Sequence, residues 1–144
     1  MLLMVSSCVS PPSSKEVFIK NDDRVNGRYK FELDLSDTLA SYDINLYSAL
    51  DCSDDEMHEL SSEKLEITLI SPSNISFSEV VYFPLDGLKR KDFPSKLYYL
   101  PYRVDIVPEE YGDWTMFVSF DEKKDNENIR GLGMQLIKKS NGKR

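Results

Sequence analysis

Five aromatic residues crowd into seventeen positions of the chain: Tyr98, Tyr99, Tyr102, Tyr111 and Trp114. Aromatic faces stack on the C–H faces of sugars and anchor protein interfaces, so binding is the chemistry such a cluster supplies. Neighbours in a strand point to opposite faces, so one of Tyr98 and Tyr99 must face outward. Tyr98, Tyr99 and Tyr102 are therefore the candidate binding residues. Trp114 is assigned to the core, because it opens a regular alternation with Met116, Val118 and Phe120. A second cluster, Asp51, Asp54, Asp55, Glu56 and Glu59, surrounds His58. Calcium takes several oxygen ligands, but this run lacks the glycine and distal Glu of a calcium loop. His58-Glu59 also lacks the second His of a zincin, so solvated loop charge is expected and no metal. Nucleophilic catalysis needs a nucleophile, a base and an orienting group, and the chain has one His on an acidic loop. Cys52 sits beside Asp51 and Asp54, which raise a thiol pKa and make it a poor nucleophile. Gly131-Leu132-Gly133 carries two glycines of a dinucleotide loop without the βαβ pattern, so a turn into a strand is expected. Carboxylate pairs of the glycosidase type depend on geometry that composition does not decide. No catalytic residue and no cofactor are assigned.

Cys8 carries a different chemistry. Met1-Leu2-Leu3-Met4-Val5-Ser6-Ser7-Cys8 leads from apolar residues through two small ones to a cysteine. This resembles the end of a bacterial lipoprotein signal, where small residues let the peptidase reach the backbone before the acylated Cys. A complete signal has a basic n-region and an apolar stretch of about 7–15 residues, so the expected start lies further upstream. Val9-Ser10-Pro11-Pro12-Ser13-Ser14 forms neither a helix nor a central strand and is expected to be a tether. With Cys8 lipidated, only Cys52 remains and no intramolecular disulfide is possible. The expected address is the bacterial envelope, membrane-bound through the lipid on Cys8. The periplasmic side is favoured, because no acidic run follows the Cys.

The elements that must position these residues are strands. Tyr29, Phe31, Leu33 and Leu35 alternate with charged or polar residues, as do Tyr42, Ile44 and Leu46, then Leu65, Ile67 and Leu69. Pro72-Ser73-Asn74 signals a turn before a strand from Ile75 to Phe83. Leu97 to Val107 is β-branched and aromatic, and Pro101 within it implies an edge strand or a bend. Strands follow from Trp114 to Phe120 and from Leu132 to Leu136, and a short one near Val17 to Ile19 precedes them all. Seven or eight short strands indicate an all-β sandwich, immunoglobulin-like or jelly-roll-like. A chain of 144 residues with 40% hydrophobic composition makes one domain. Its expected bounds are 17–138, between a signal remnant and tether over 1–16 and a basic frayed tail over 139–144. With 25 acidic against 18 basic residues the net charge is −7, unsuited to a nucleic-acid partner. No apolar run reaches the roughly 18–20 residues that span a bilayer.

The stretch Ile106-Val107-Pro108-Glu109-Glu110-Tyr111-Gly112-Asp113-Trp114-Thr115-Met116-Phe117-Val118, followed by Ile129-Arg130-Gly131-Leu132-Gly133-Met134-Gln135-Leu136, resembles the C-terminal half of the GldH-type gliding-motility lipoproteins of Bacteroidetes. Tyr29 to Leu50, with Leu35-Ser36-Asp37-Thr38 and Tyr42-Asp43-Ile44-Asn45-Leu46, resembles the first two strands of that family, and the segment around Cys8 resembles its lipobox. The resemblance covers about half the chain. It implies a non-catalytic, lipid-anchored sandwich that works by binding other envelope proteins. A glycan-binding accessory lipoprotein is the alternative, with Tyr98, Tyr99 or Tyr102 as stacking residues, and a carboxylate-based hydrolase is a weaker third. Lipidation is directly testable. Expressed from its full upstream region, the wild type is expected to take up a fatty-acid analogue and Cys8→Ser to take up none; equal labelling of the two would refute acylation there.

Overall fold

The computed structural model describes residues 13–51, 62–84, 95–120 and 129–140. Cys8, the acidic run from Asp54 to Glu59, the basic run Lys89-Arg90-Lys91 and the C-terminal residues 141–144 lie outside the described residues. Eight strands are formed: β1 (Ser13–Lys20), β2 (Tyr29–Leu35), β3 (Ala40–Asp51), β4 (Ser62–Ile70), β5 (Ser76–Pro84), β6 (Ser95–Ile106), β7 (Gly112–Phe120) and β8 (Ile129–Ser140). They make two four-stranded antiparallel sheets, ordered β1-β8-β3-β6 and β2-β7-β4-β5. β1 pairs with β8, β2 with β7, β3 with β6 and β4 with β5. The chain is thus one long antiparallel ribbon, 1–4 against 8–5, rolled into a sandwich. That is the jelly-roll arrangement. The immunoglobulin alternative would pair the first strand with the second and is excluded.

Period-two alternation builds the core. Tyr29, Phe31, Leu33 and Leu35 of β2 are buried, while the residues between them are exposed. Tyr42, Ile44 and Leu46 of β3, Leu65 and Ile67 of β4, and Leu132, Met134 and Leu136 of β8 meet them between the sheets. Trp114, Met116, Val118 and Phe120 point inward from β7, as their alternation requires. Pro101 lies on β6, an edge strand opposite Asn45, where the β3–β6 ladder changes register. A missing N–H is tolerated at such an edge.

Both expected domain limits move outward. β1 begins at Ser13, inside the stretch expected to be tether, because its backbone completes a ladder with β8 from Ser13↔Lys138 onward. β8 runs to Ser140, two residues into the expected tail, and Lys139 is tied down by Asp43 at 3.0 Å and by Asp105. Hydrogen bonding and ion pairs order both segments, and neither leaves a hydrophobic periodicity to detect.

Gly131 and Gly133 occupy the interior of β8 and not a turn, which corrects the expectation for this motif. The reason is close approach. A Cβ on Gly133 would lie 2.1 Å from Cζ of Tyr47, and one on Gly131 would lie 2.4 Å from the Ile19 carbonyl oxygen and 2.7 Å from Cζ of Phe18. Gly133→Ala is therefore expected to destabilise the domain by about 1–3 kcal/mol, the usual cost of overpacking. Combined with Tyr47→Ala the same change should cost nothing, or stabilise by about 0.5–1 kcal/mol as alanine replaces glycine in a strand. Urea midpoints of the two single variants and the double variant test this coupling.

Candidate functional site

The rings over these glycines form a row. Phe18 of β1, Gly133 of β8, Tyr47 of β3 and Tyr99 of β6 stand in register across the first sheet. Their neighbours Leu46, Leu132 and Met134 face the core, so the row lies on the outer face. Phe18 and Tyr47 stack at 6.1 Å with 22° between planes, and Tyr47 and Tyr99 at 5.6 Å with 30°. Phe18 is 42% exposed, and Tyr47 and Tyr99 are half-buried. The adjacent register row is polar: Glu16, Gln135 and Asn45, closed by Pro101. Asn45 Nδ2 donates to Gln135 Oε1 at 3.0 Å. Burial, followed by the neighbouring Glu16 carboxylate that accepts its hydroxyl, pushes the Tyr47 phenol up to about 12. Further along the face, Lys139 bridges Asp43 and Asp105. Burial raises the Asp43 carboxyl, but the Asp105 backbone N–H and Lys139 outweigh it and hold the group below the ordinary carboxylate range.

The outer face of the second sheet is different in kind. It presents Lys30, Glu32 and Asp34 from β2, Thr115 and Ser119 from β7, and Lys64, Glu66 and Thr68 from β4. Its ring Phe117 has the Arg28 guanidinium 4.1 Å above it, and β5 adds exposed Val80 and Tyr82 opposite Glu66 and Lys64.

A second concave feature lies inside the sandwich, on the side where edge strands β5 and β6 face each other. This cavity of about 440 Å³ is walled by Leu33, Leu35, Ile67, Leu69, Phe77 and Trp114 among others. Its mouth carries Glu79, Tyr102 and Arg103. The Tyr102 hydroxyl and Arg103 Nη2 both donate to Glu79 Oε2, and the Arg103 guanidinium lies 4.2 Å from the Tyr102 ring centre. Burial, then the hydrogen bond to Glu79, raises the Tyr102 phenol far above its ordinary value.

The three candidate tyrosines separate. Tyr99 joins the outer row. Tyr102 is only 7% exposed and belongs to the core, so it is not an outward stacking platform; β6 turns it inward and Glu79 satisfies its hydroxyl. Tyr98 is registered opposite Ser48, and its side chain lies outside the described ones. Trp114 is buried as expected, stacks on Phe77 at 6.0 Å and 8°, and donates from Nε1 to the Glu110 carbonyl at 2.8 Å. Phe18 and Tyr47 were not singled out from the sequence. Tyr47 does stand in the outward phase of its strand, and the two glycines of β8 mark where rings could settle. Among the described residues no group of three or more His, Cys, Asp or Glu converges as metal ligands, and no helix is long and apolar enough to cross a membrane. No protein-family model and no curated protein matches the chain.

The Tyr47 environment has a pH signature. Between pH 10, the ordinary tyrosine value, and about 12, the folded state keeps a proton that the unfolded chain has lost. The stabilisation is therefore complete below pH 10 and is lost as pH rises through that window. Tyr29, Tyr42 and Tyr102 are raised as well and contribute to the same decline. Tyr47→Phe is expected to make the alkaline loss of stability shallower, read from denaturant unfolding at stepped pH. An unchanged slope would mean that Tyr47 titrates as an ordinary surface tyrosine.

Proposed function

We propose that this chain is a lipid-anchored, non-catalytic protein of the bacterial envelope, and that its jelly-roll domain binds other envelope proteins through the outer face of β1-β8-β3-β6. Cys8 is the anchor, and the segment before Ser13 is the spacer. The contrast between the two outer faces carries the reading. One is charged and hydroxyl-rich across β2, β7 and β4, with its exposed Val80 and Tyr82 set apart on the edge strand β5. The other seats Phe18, Tyr47 and Tyr99 in a line, with Glu16, Asn45 and Gln135 as a polar rim. An aromatic centre with a polar border is the make-up of a protein-binding patch. The resemblance to gliding-motility lipoproteins around Cys8, β2, β3, β7 and β8 supports the same reading.

One observation favours a glycan as the alternative ligand. Successive rings of the row are stacked, with tilts of 22° and 30°, and the Asn45–Gln135 amide pair runs beside them, which suits stacking on sugar faces with hydroxyls bonded alongside. The two ligands separate experimentally. Lipidated wild type and a Phe18→Ser/Tyr99→Ser variant of matched melting temperature are used to capture partners from envelopes, and both are sedimented with purified peptidoglycan sacculi. Loss of two central aromatics is expected to weaken a protein partner roughly tenfold or more, as interface anchors do, with no sedimentation in either case. Sedimentation of the wild type alone would transfer the function to the glycan reading. Identical protein capture by both forms would remove this face from the function.

A further inference from the structure

We propose that the cavity between β5 and β6 is a binding site for a neutral single-chain amphiphile, an acyl chain carrying a hydroxylated head. This site is distinct from the outer aromatic row, since its walls are the inward faces of both sheets. Leu33 and Leu35 come from β2, Ile44 from β3 and Ile67 and Leu69 from β4. Phe77 and Trp114 add an aromatic wall. The indole N–H is already bonded to the Glu110 carbonyl, so Trp114 offers the cavity only apolar surface.

A volume of about 440 Å³ has room for roughly fifteen waters at about 30 Å³ each. Each water in the deeper part of the site needs about two to four polar partners, and the side chains there are mostly apolar. An apolar body displaces that water at a gain, and the volume lies within the range of small-molecule sites. The polar groups are confined to the mouth, which fixes the orientation of a ligand: chain inward, head outward.

The mouth also selects the head. Glu79 Oε2 accepts from Tyr102 and from Arg103 Nη2, while Arg103 Nη1 donates to the Tyr102 carbonyl at 3.1 Å. Among the described residues this leaves Glu79 Oε1 as an acceptor and the three remaining Arg103 N–H groups, on Nε, Nη1 and Nη2, as donors. A hydroxyl, which both donates and accepts, satisfies the acceptor and one of the donors together. Among the described residues Glu79 and Glu109 outnumber Arg103 at the rim, which disfavours an anionic head there.

Trp114 is the single tryptophan of the chain, so its fluorescence reports on the cavity directly. The full chain is titrated with monodecanoylglycerol and, as the anionic control, with decanoate, both kept below their aggregation thresholds. Calorimetry gives the stoichiometry. The expected result is a saturable one-to-one change in Trp114 emission with monodecanoylglycerol, and binding of decanoate roughly tenfold weaker because its carboxylate faces two others. Leu69→Phe or Ile106→Phe, whichever keeps the wild-type melting temperature, should abolish the change by filling the space. Glu79→Gln should narrow the gap between the two ligands. No saturable change, or an equal change in a folded cavity-filled variant, would overturn the site. Decanoate binding as tightly as the neutral lipid would overturn the assignment of the head. None of these results depends on the outer face, so the proposed protein-binding function stands or falls separately.

Discussion

How closely side chains can approach β8 governs the whole outer face of the first sheet. β8 lies between β1 and β3, and every register row on that face crosses it. At Gly131 and Gly133 the missing side chains let Phe18 and Tyr47 lie down over the backbone of the neighbouring strand. Glycine inside a strand is unfavourable by roughly 0.5–1 kcal/mol relative to alanine, for entropic reasons. Here the aromatic contact area offsets that cost, and the rings end up stacked instead of standing upright as separate side chains. The inward residues of the same strand, Leu132, Met134 and Leu136, meanwhile pack the core. One strand therefore serves a core on one side and a seat for aromatic rings on the other.

The rolled ribbon has a second consequence. Its pairings bring β5 and β6 to the edges of different sheets, where they face each other without sharing a ladder. Among the described residues side chains bridge this flank, where Glu79 from β5 holds Tyr102 and Arg103 from β6. The β4–β5 turn is joined to the segment before β7 by Ser73 Oγ donating to Glu110 at 2.8 Å, and the Glu110 carbonyl in turn receives the Trp114 indole. A flank bridged by polar side chains over apolar walls is what leaves a chamber with its polar groups at the mouth.

Electrostatics has a local role within an acidic chain. In a chain of net charge −7, Lys139 is a fixed point for two carboxylates. Lys139 joins Asp43 of β3 to Asp105 of β6, next to the irregular register between these strands. Asp105 itself has a positive φ of 53°, and its N–H is bonded to Asp43. Exposed pairs of this kind contribute about 0–1 kcal/mol each, so their role is to set where the edge strand bends more than to hold the fold together.

Alternation alone identified the strands from Tyr29 to Leu136, the inward set from Tyr29 to Phe120 and the burial of Trp114, because a half-buried strand must repeat every two residues. The edge position of β6 was legible in Pro101, which lacks the N–H an interior strand needs. The outward phase of Tyr47 was visible too, but Gly131 and Gly133 read as a turn, because the rings that need their missing side chains come from other strands. What no local pattern contains is register. Which strand lies beside which, and therefore that Phe18, Tyr47 and Tyr99 form one row while Tyr102 turns inward to Glu79, depends on pairings as distant in sequence as Phe18 with Gly133 and Ser13 with Lys138. The ends of β1 and β8 were missed for the same reason, since Ser13 and Lys139 are ordered by partners across the sheet and not by hydrophobicity of their own. Local chemistry thus determined which residues form strands and which side of each is buried, and only the tertiary pairing decided which side chains meet.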